Sequence, residues 1–226
     1  MIAVCVSGLA REGYKEALEI AKKVFPFDFY YMQWKGYPEP DVPNLFLTDE
    51  PVYNYHNITE TKTKPDCDIF REYSKLHTGK IYRREGMYAK TKNNSKQTIA
   101  HQRLVDTLPK KYKTIIKLRY DTILSTKVDF MPYLEKAQNG TPIGFSNPGK
   151  KCTGDEPLQV KPFAKWYLYD HLIFHPRYKM KNTEKFFNEK NLLGAEWGWY
   201  QILCHQWNEP DHINVDGGNI LYKFKK

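Results

Sequence analysis

The chain has 226 residues, a hydrophobic share of 41% and a formal net charge of +9. That length, with five Trp, seventeen Tyr and twelve Phe, suffices for a real core and excludes a disordered chain. No run approaches the roughly 18 apolar residues of a membrane span, and Met1 to Val6 is too short, with nothing basic before it, for a secretory leader; a cytoplasmic protein is expected.

Cys5, Cys67, Cys152 and Cys204 stand far apart and form no Cys-x-x-Cys pair, so reduced, mostly buried thiols are expected rather than a zinc knuckle or a dithiol. The sequons at Asn57, Asn93 and Asn139 are read as chance in a chain without a leader. The positive charge points to an anionic partner, which could be nucleic acid, an acidic membrane surface or a phosphorylated small molecule. No RNA-recognition signature accompanies the scattered Lys pairs.

In chain order, Ile2 to Val6 reads as a short buried strand. Ser7-Gly8-Leu9-Ala10-Arg11 follows, then an amphipathic helix in which Tyr14, Ala17, Leu18, Ala21 and Val24 share one face. A strand, a Ser-Gly turn and a helix start together expose backbone N–H groups, which suits a nucleotide or phosphate; a plain tight turn is the alternative. Pro26 ends the helix, and Phe27 to Trp34 is β-rich and aromatic, a second strand parallel to the first. Trp34 then lies on the same edge as Ser7, to stack on a base or to cover the core. Leu45-Phe46-Leu47 is a third short strand among turn residues.

Residues 58–94 are polar, with a helix or turn over Ile69 to Leu76 and basic residues at Arg83-Arg84 and Lys90 to Lys92. They read as a loop over a polyanionic ligand or as a solvated insertion. Ser95 is placed to cap a helix from about Lys96 to Leu108, with Ile99, Leu104, Val105 and Leu108 as its apolar face and Gln97, His101 and Arg103 elsewhere on it. Pro109 closes that helix.

Lys113-Thr-Ile-Ile-Lys-Leu-Arg-Tyr-Asp-Thr-Ile-Leu124 comes next, an apolar strand that delivers Arg119-Tyr120-Asp121 to a sheet edge. Strand ends of this kind are where open α/β sheets place ligands. A short helix over Val128 to Ala137, a turn at Asn139-Gly140 and a strand at Pro142 to Phe145 follow. Lys150 to Pro157 reads as a polar loop. Trp166 to His175 reads as a strand with Asp170 inside it, and a carboxylate there needs a partner or a ligand. Arg177 to Asn191 is partly helical, Leu192 to Leu203 is a turn and a helix with Glu196 in its first turn, and one short strand closes the chain near His205 and His212.

Three of these features together resemble the GT-A class of nucleotide-sugar glycosyltransferases, in the minimal form found in viruses, bacteriophages and bacterial polysaccharide-modifying enzymes. They are Val4-Cys-Val-Ser-Gly-Leu-Ala-Arg11; the helix with Gln97 that leads into Tyr112 to Asp121; and Tyr169-Asp170-His171 followed by Ala195-Glu196-Trp197. Where that class carries Asp-x-Asp, this chain has Arg119-Tyr120-Asp121. The resemblance implies a single-domain α/β fold, a GT-A-like (Rossmann-like) mixed sheet flanked by helices, with a nucleotide-binding half at 1–125 and an acceptor-side half at 126–226. It implies metal-dependent transfer from a nucleotide-sugar donor, UDP-glucose first, to a hydroxyl of a saccharide, lipid or protein, in the host cytoplasm if the chain is viral.

The same resemblance implies roles. Ser7, Gly8, Arg11, Trp34, Gln97, Arg119 and Asp121 would meet the donor. Asp121 would hold Mn²⁺ or Mg²⁺ with help from His212, and Glu196 or Asp170 would act as catalytic base. Arg119 would either turn to the diphosphate or pair with a carboxylate. Two other classes stay open: a basic nucleic-acid-binding protein without catalysis, and a metal-dependent nuclease or nucleotidyltransferase.

Overall fold

The computed structural model describes residues 1–50, 87–146, 158–161, 168–180, 195–204, 212–217 and 221–223. Asn57, Cys67, the helix or turn at Ile69 to Leu76, Arg83-Arg84, the loop with Cys152 and His205 lie outside the described residues.

The chain begins with β1 (Ile2–Ser7), α1 (Tyr14–Val24), β2 (Asp28–Trp34) and β3 (Leu45–Thr48). Then come α2 (Met87–Thr107), β4 (Thr114–Leu118), β5 (Thr122–Leu124), α3 (Met131–Gln138) and β6 (Ile143–Ser146). The last elements are β7 (Leu158–Lys161), β8 (Leu172–Pro176), α4 (Ala195–Cys204), β9 (Ile213–Gly217) and β10 (Leu221–Lys223). Among the described residues these form an eight-stranded sheet in the order β3-β2-β1-β4-β8-β6-β9-β7, and β10 pairs with β5 in a second, two-stranded one. β3, β2, β1 and β4 are parallel, β8 runs against both β4 and β6, and β9 is parallel to β6. The expected mixed α/β sheet flanked by helices is the one observed.

Alternation along the strands builds two cores. Ala3, Cys5, Met32, Trp34, Ile115 and Ile173 face α2 and α4, where they meet Ile99, Leu104, Val105, Trp199 and Leu203. Val4, Val6, Tyr31, Ile116, Leu118 and Phe174 face the other way, toward Leu18 and Ala21 of α1 and Leu134 and Ala137 of α3. Cys5 and Cys204 are buried free thiols, as expected. Burial pushes the Cys5 thiol well above its usual range. No helix among the described residues is long and apolar enough to cross a membrane.

Several expectations are corrected. α2 starts at Met87, so Ser95 is interior to it and not its cap; Asn93-Asn94-Ser95 are weak helix formers, and the apolar pattern that would have flagged the earlier turns is missing. Asp170 precedes β8 instead of lying inside a strand. Two strands, β9 and β10, stand where one was expected, and β7 was not anticipated. The end of α2 is closed by a residue far along the chain. Arg177 donates to the carbonyls of Val105 (2.8 Å), Leu108 (2.8 Å) and Pro109 (2.7 Å), satisfying acceptors that a helix terminus leaves open.

Candidate functional site

β2 and β3 lie on one side of β1 and β4 on the other, so the chain reverses its direction of sheet-building between β1 and β4. Ligands of open α/β sheets bind at such a switch point, outside the carboxyl ends of the strands. A cavity of about 250 Å³ opens there. β1 contributes Ser7 to it and the turn after β1 Gly8, β2 contributes Trp34, the segment after β3 contributes Glu50, α2 contributes Lys96 and Gln97, and the turn after β4 contributes Arg119, Tyr120 and Asp121. Leu9, Arg11 and Tyr37 complete its lining.

All seven residues expected to meet the donor, from Ser7 to Asp121, thus line one cavity. Gly8 sits at φ +124°, where a side chain is strained even though a Cβ would touch nothing within 4 Å. Its N–H donates to the Met32 carbonyl (3.3 Å), which turns the chain away at the end of β1. The hydroxyl of Ser7 is buried and has no hydrogen-bond partner among the described residues, a condition that a ligand would relieve.

Four of the five charged side chains in the lining pair with one another. Arg119 donates from Nε to Asp121 Oδ1 (2.8 Å) and from Nη2 to Oδ2 (2.6 Å), a two-pronged contact. Burial disfavours the charged guanidinium, but the hydrogen bonds and field of Asp121, and then the field of Asp170, outweigh it and raise the Arg119 pKa. Of the alternatives posed for Arg119, the structure shows the pairing with a carboxylate, and the residue also lines the cavity. Lys96 donates to Glu50, as does Tyr37 (3.1 Å). The bond from Lys96 is the main cause holding the Glu50 carboxyl below its ordinary value.

Behind the cavity, Lys117 is fully buried on the α2 side of β4. Its Nζ donates to the backbone carbonyl of Asp170 and approaches Gln97 Oε1 (3.5 Å), with the Trp199 ring centroid 5.3 Å away. β8 runs antiparallel to β4, which brings Asp170 and His171, just before β8, to the same edge as Arg119. Asp170 is 7% exposed, and its Oδ1 lies 3.6 Å from His171 Nδ1. Glu196 is in the first turn of α4; its side chain lies outside the described residues.

His212 is not brought to Asp121. It precedes β9, which is three strand positions from β4, about 14 Å across the sheet. The pairing of Ile213 with Ile143, of Ile143 with Phe174 and of Phe174 with Ile116 sets it level with the middle of β4. His212 packs instead against the Tyr200 ring, centroids 4.9 Å apart. Nor do the residues fit the expected Mn²⁺ or Mg²⁺. Both oxygens of Asp121 accept from Arg119, and among the described residues no group of three His, Cys, Asp or Glu could hold an ion. Hard cations of this kind want several oxygen ligands together.

Sequence reasoning missed Lys96, Glu50, Tyr37 and Lys117, and also Gln33. Gln33 accepts from the Ala10 N–H (3.0 Å) and donates to the Pro38 carbonyl (2.5 Å), tying the Ser7 to Arg11 loop to the segment after β2. Lys117 could have been flagged, since a lysine inside an apolar strand requires an acceptor.

No protein-family model and no curated protein matches the sequence. Similar solved structures include a 4-diphosphocytidyl-2C-methyl-D-erythritol synthase from Anaerococcus prevotii, at 9% identity over 99% of this chain and 91% of that one, TM-score 0.46. Another is a glycosyltransferase involved in glycosylation of the major capsid of PBCV-1, at 11% identity over 95% and 81%, TM-score 0.46. A third is a galactosyltransferase in complex with donor and acceptor sugar analogues, at 9% identity over 89% and 70%, TM-score 0.43. Two of the three are glycosyltransferases by name. Likeness at this level carries no substrate or activity from one chain to another.

Proposed function

We propose that the chain is a glycosyltransferase that binds the nucleoside diphosphate of a sugar donor in the switch-point cavity and transfers the sugar to a hydroxyl acceptor. The observation that carries this reading is the convergence of Ser7, Gly8, Trp34, Lys96, Arg119 and Asp121 on one cavity at the carboxyl ends of β1, β2 and β4. Arg11, Lys96 and Arg119 outnumber Glu50 and Asp121 there, which suits a diphosphate. Trp34, 4% exposed, packs mainly in the core and borders the cavity. The sugar itself comes from the sequence resemblance.

In such a transfer the bond between the anomeric carbon and the phosphate oxygen breaks with its electron pair on the oxygen. The acceptor oxygen bonds that carbon, and its proton passes to a carboxylate. Arg119, held in place by Asp121, faces the charge that develops on the leaving diphosphate. Asp170, at the same sheet edge, is the base we assign first, with Glu196 the second candidate; the acceptor is a saccharide, lipid or protein hydroxyl.

Thermal shift and calorimetry with UDP-glucose, and then with other UDP, GDP and CDP sugars, test the reading. One sugar nucleotide is expected to bind and to be consumed in the presence of an acceptor. Binding of nucleoside triphosphates alone would favour nucleotidyl transfer instead. Salt-sensitive oligonucleotide binding with no nucleotide binding would favour the nucleic-acid class.

A further inference from the structure

We propose that this cavity holds the donor diphosphate without a divalent ion, Arg119 supplying from a fixed position the positive charge that an ion on Asp121 would otherwise bring. The inference rests on the reading above that the cavity takes a nucleoside diphosphate.

Both carboxylates of the lining are already committed to cations, Asp121 to Arg119 and Glu50 to Lys96. The first pair is largely withdrawn from solvent, with side chains 21% and 11% exposed. An ion binding Asp121 would have to expel the guanidinium from its two-pronged contact. It would leave that cation in a poorly solvated site, with Asp170 as the remaining carboxylate whose field supports it.

The guanidinium is also equipped for the task. Of its five N–H groups two point at Asp121. The other three have no acceptor among the described residues, and a guanidinium fork matches phosphate oxygens in pairs. Asp121 is thereby a positioning residue for Arg119 and not a metal ligand. Lys96, held by Glu50 at the same cavity, and Arg11 at the turn after β1 add charge that needs no ion.

Calorimetric titration of UDP, GDP and CDP, each in excess EDTA and again in Mn²⁺, tests this on the full chain. The tightest of them is expected to bind with an affinity that changes less than about twofold between the two conditions. R119M should weaken binding about tenfold or more, as removal of a charge-assisted contact does, and R119K should recover part of the loss. D121N, which loosens the hold on Arg119, should weaken binding by the same factor in EDTA and in Mn²⁺. Circular dichroism checks the fold of each variant, and if R119M does not fold, the EDTA arm and R119K decide. Binding that rises tenfold or more with Mn²⁺ in the parent chain, with that rise lost in D121N, would overturn the inference and leave the cavity's assignment standing. Failure of all three nucleotides in both conditions would overturn the assignment itself.

Discussion

Two fully buried histidines lie between α2 and the sheet, and they make stability fall in mild acid. His101 Nε2 is 3.0 Å from His175 Nε2, and His175 Nδ1 is 3.0 Å from the Pro176 carbonyl. A nitrogen facing a carbonyl must carry the hydrogen, so His175 donates from Nδ1 and its Nε2 accepts from His101. Protonating His175 would put a hydrogen on both sides of the 3.0 Å contact, and protonating His101 would add one at its buried Nδ1, which has no partner among the described residues, with the buried Lys117 ammonium acting on His101 as well. Burial pulls His175 down to about 4, slightly offset by Pro176. It lowers His101 in the same direction, with His175 and Lys117 adding to the shift.

Because the folded pKa is depressed, the unfolded chain binds more protons between about pH 6.5 and 4. Stability is fully present above that window and is lost as pH falls through it. For His175 alone, going from pH 7 to pH 5 removes about 2 kcal/mol, and the full loss is about 3 kcal/mol. With a urea m-value of about 2–3 kcal/mol/M for a chain of this size, the unfolding midpoint should drop by about 0.7–1 M over those two pH units. Urea titrations at pH 7, 6 and 5, repeated on H101L/H175L, read this directly; the double variant should show a flatter dependence. A midpoint that moves by less than about 0.2 M, or a folded-state NMR titration of His175 near its ordinary value, would refute the reasoning.

Ser7→Ala removes a buried hydroxyl without a partner among the described residues, so thermal stability should stay within about 0.5 kcal/mol while nucleotide affinity falls about tenfold by calorimetry. Gly144→Ala would place a Cβ 2.5 Å from the Tyr169 carbonyl oxygen and 2.6 Å from its nitrogen. Backbone cannot give way as a flexible side chain can, and a loss of about 2 kcal/mol or more is expected in denaturant melts. Arg177→Met leaves three carbonyls at the end of α2 without their donor and should cost about 2 kcal/mol; hydrogen exchange should rise first in the last turn of α2.

The β1–β4 side of the fold was legible because its signals are local. Ile2 to Val6 is a continuous apolar run, α1 repeats its apolar residues at helical spacing, and Arg119-Tyr120-Asp121 interrupts an apolar strand where the structure has a turn. The strand-end part of the cavity's lining, unlike Tyr37, Glu50 and Lys96, was legible for the same reason, since strand ends follow from strand positions. The partners of those residues were not. Whether Asp121 faces an ion or Arg119 is decided by a two-residue turn, and the distance from Asp121 to His212 is decided by a strand order that no local pattern encodes. The Lys96–Glu50 pair joins residues 46 apart in the chain, and Arg177 reaches back to α2 across a β4–β8 pairing that only the folded sheet establishes.

The central claim is that the edge formed by β1, β2 and β4 is a nucleoside diphosphate site. A crystal structure grown with the tightest-binding of UDP, GDP and CDP tests it most directly. Phosphate density is expected between the Ser7-Gly8 turn and the Arg119 guanidinium. Nucleotide bound elsewhere on the chain, with the Ser7 hydroxyl still unpartnered and the cavity holding only solvent, would contradict it.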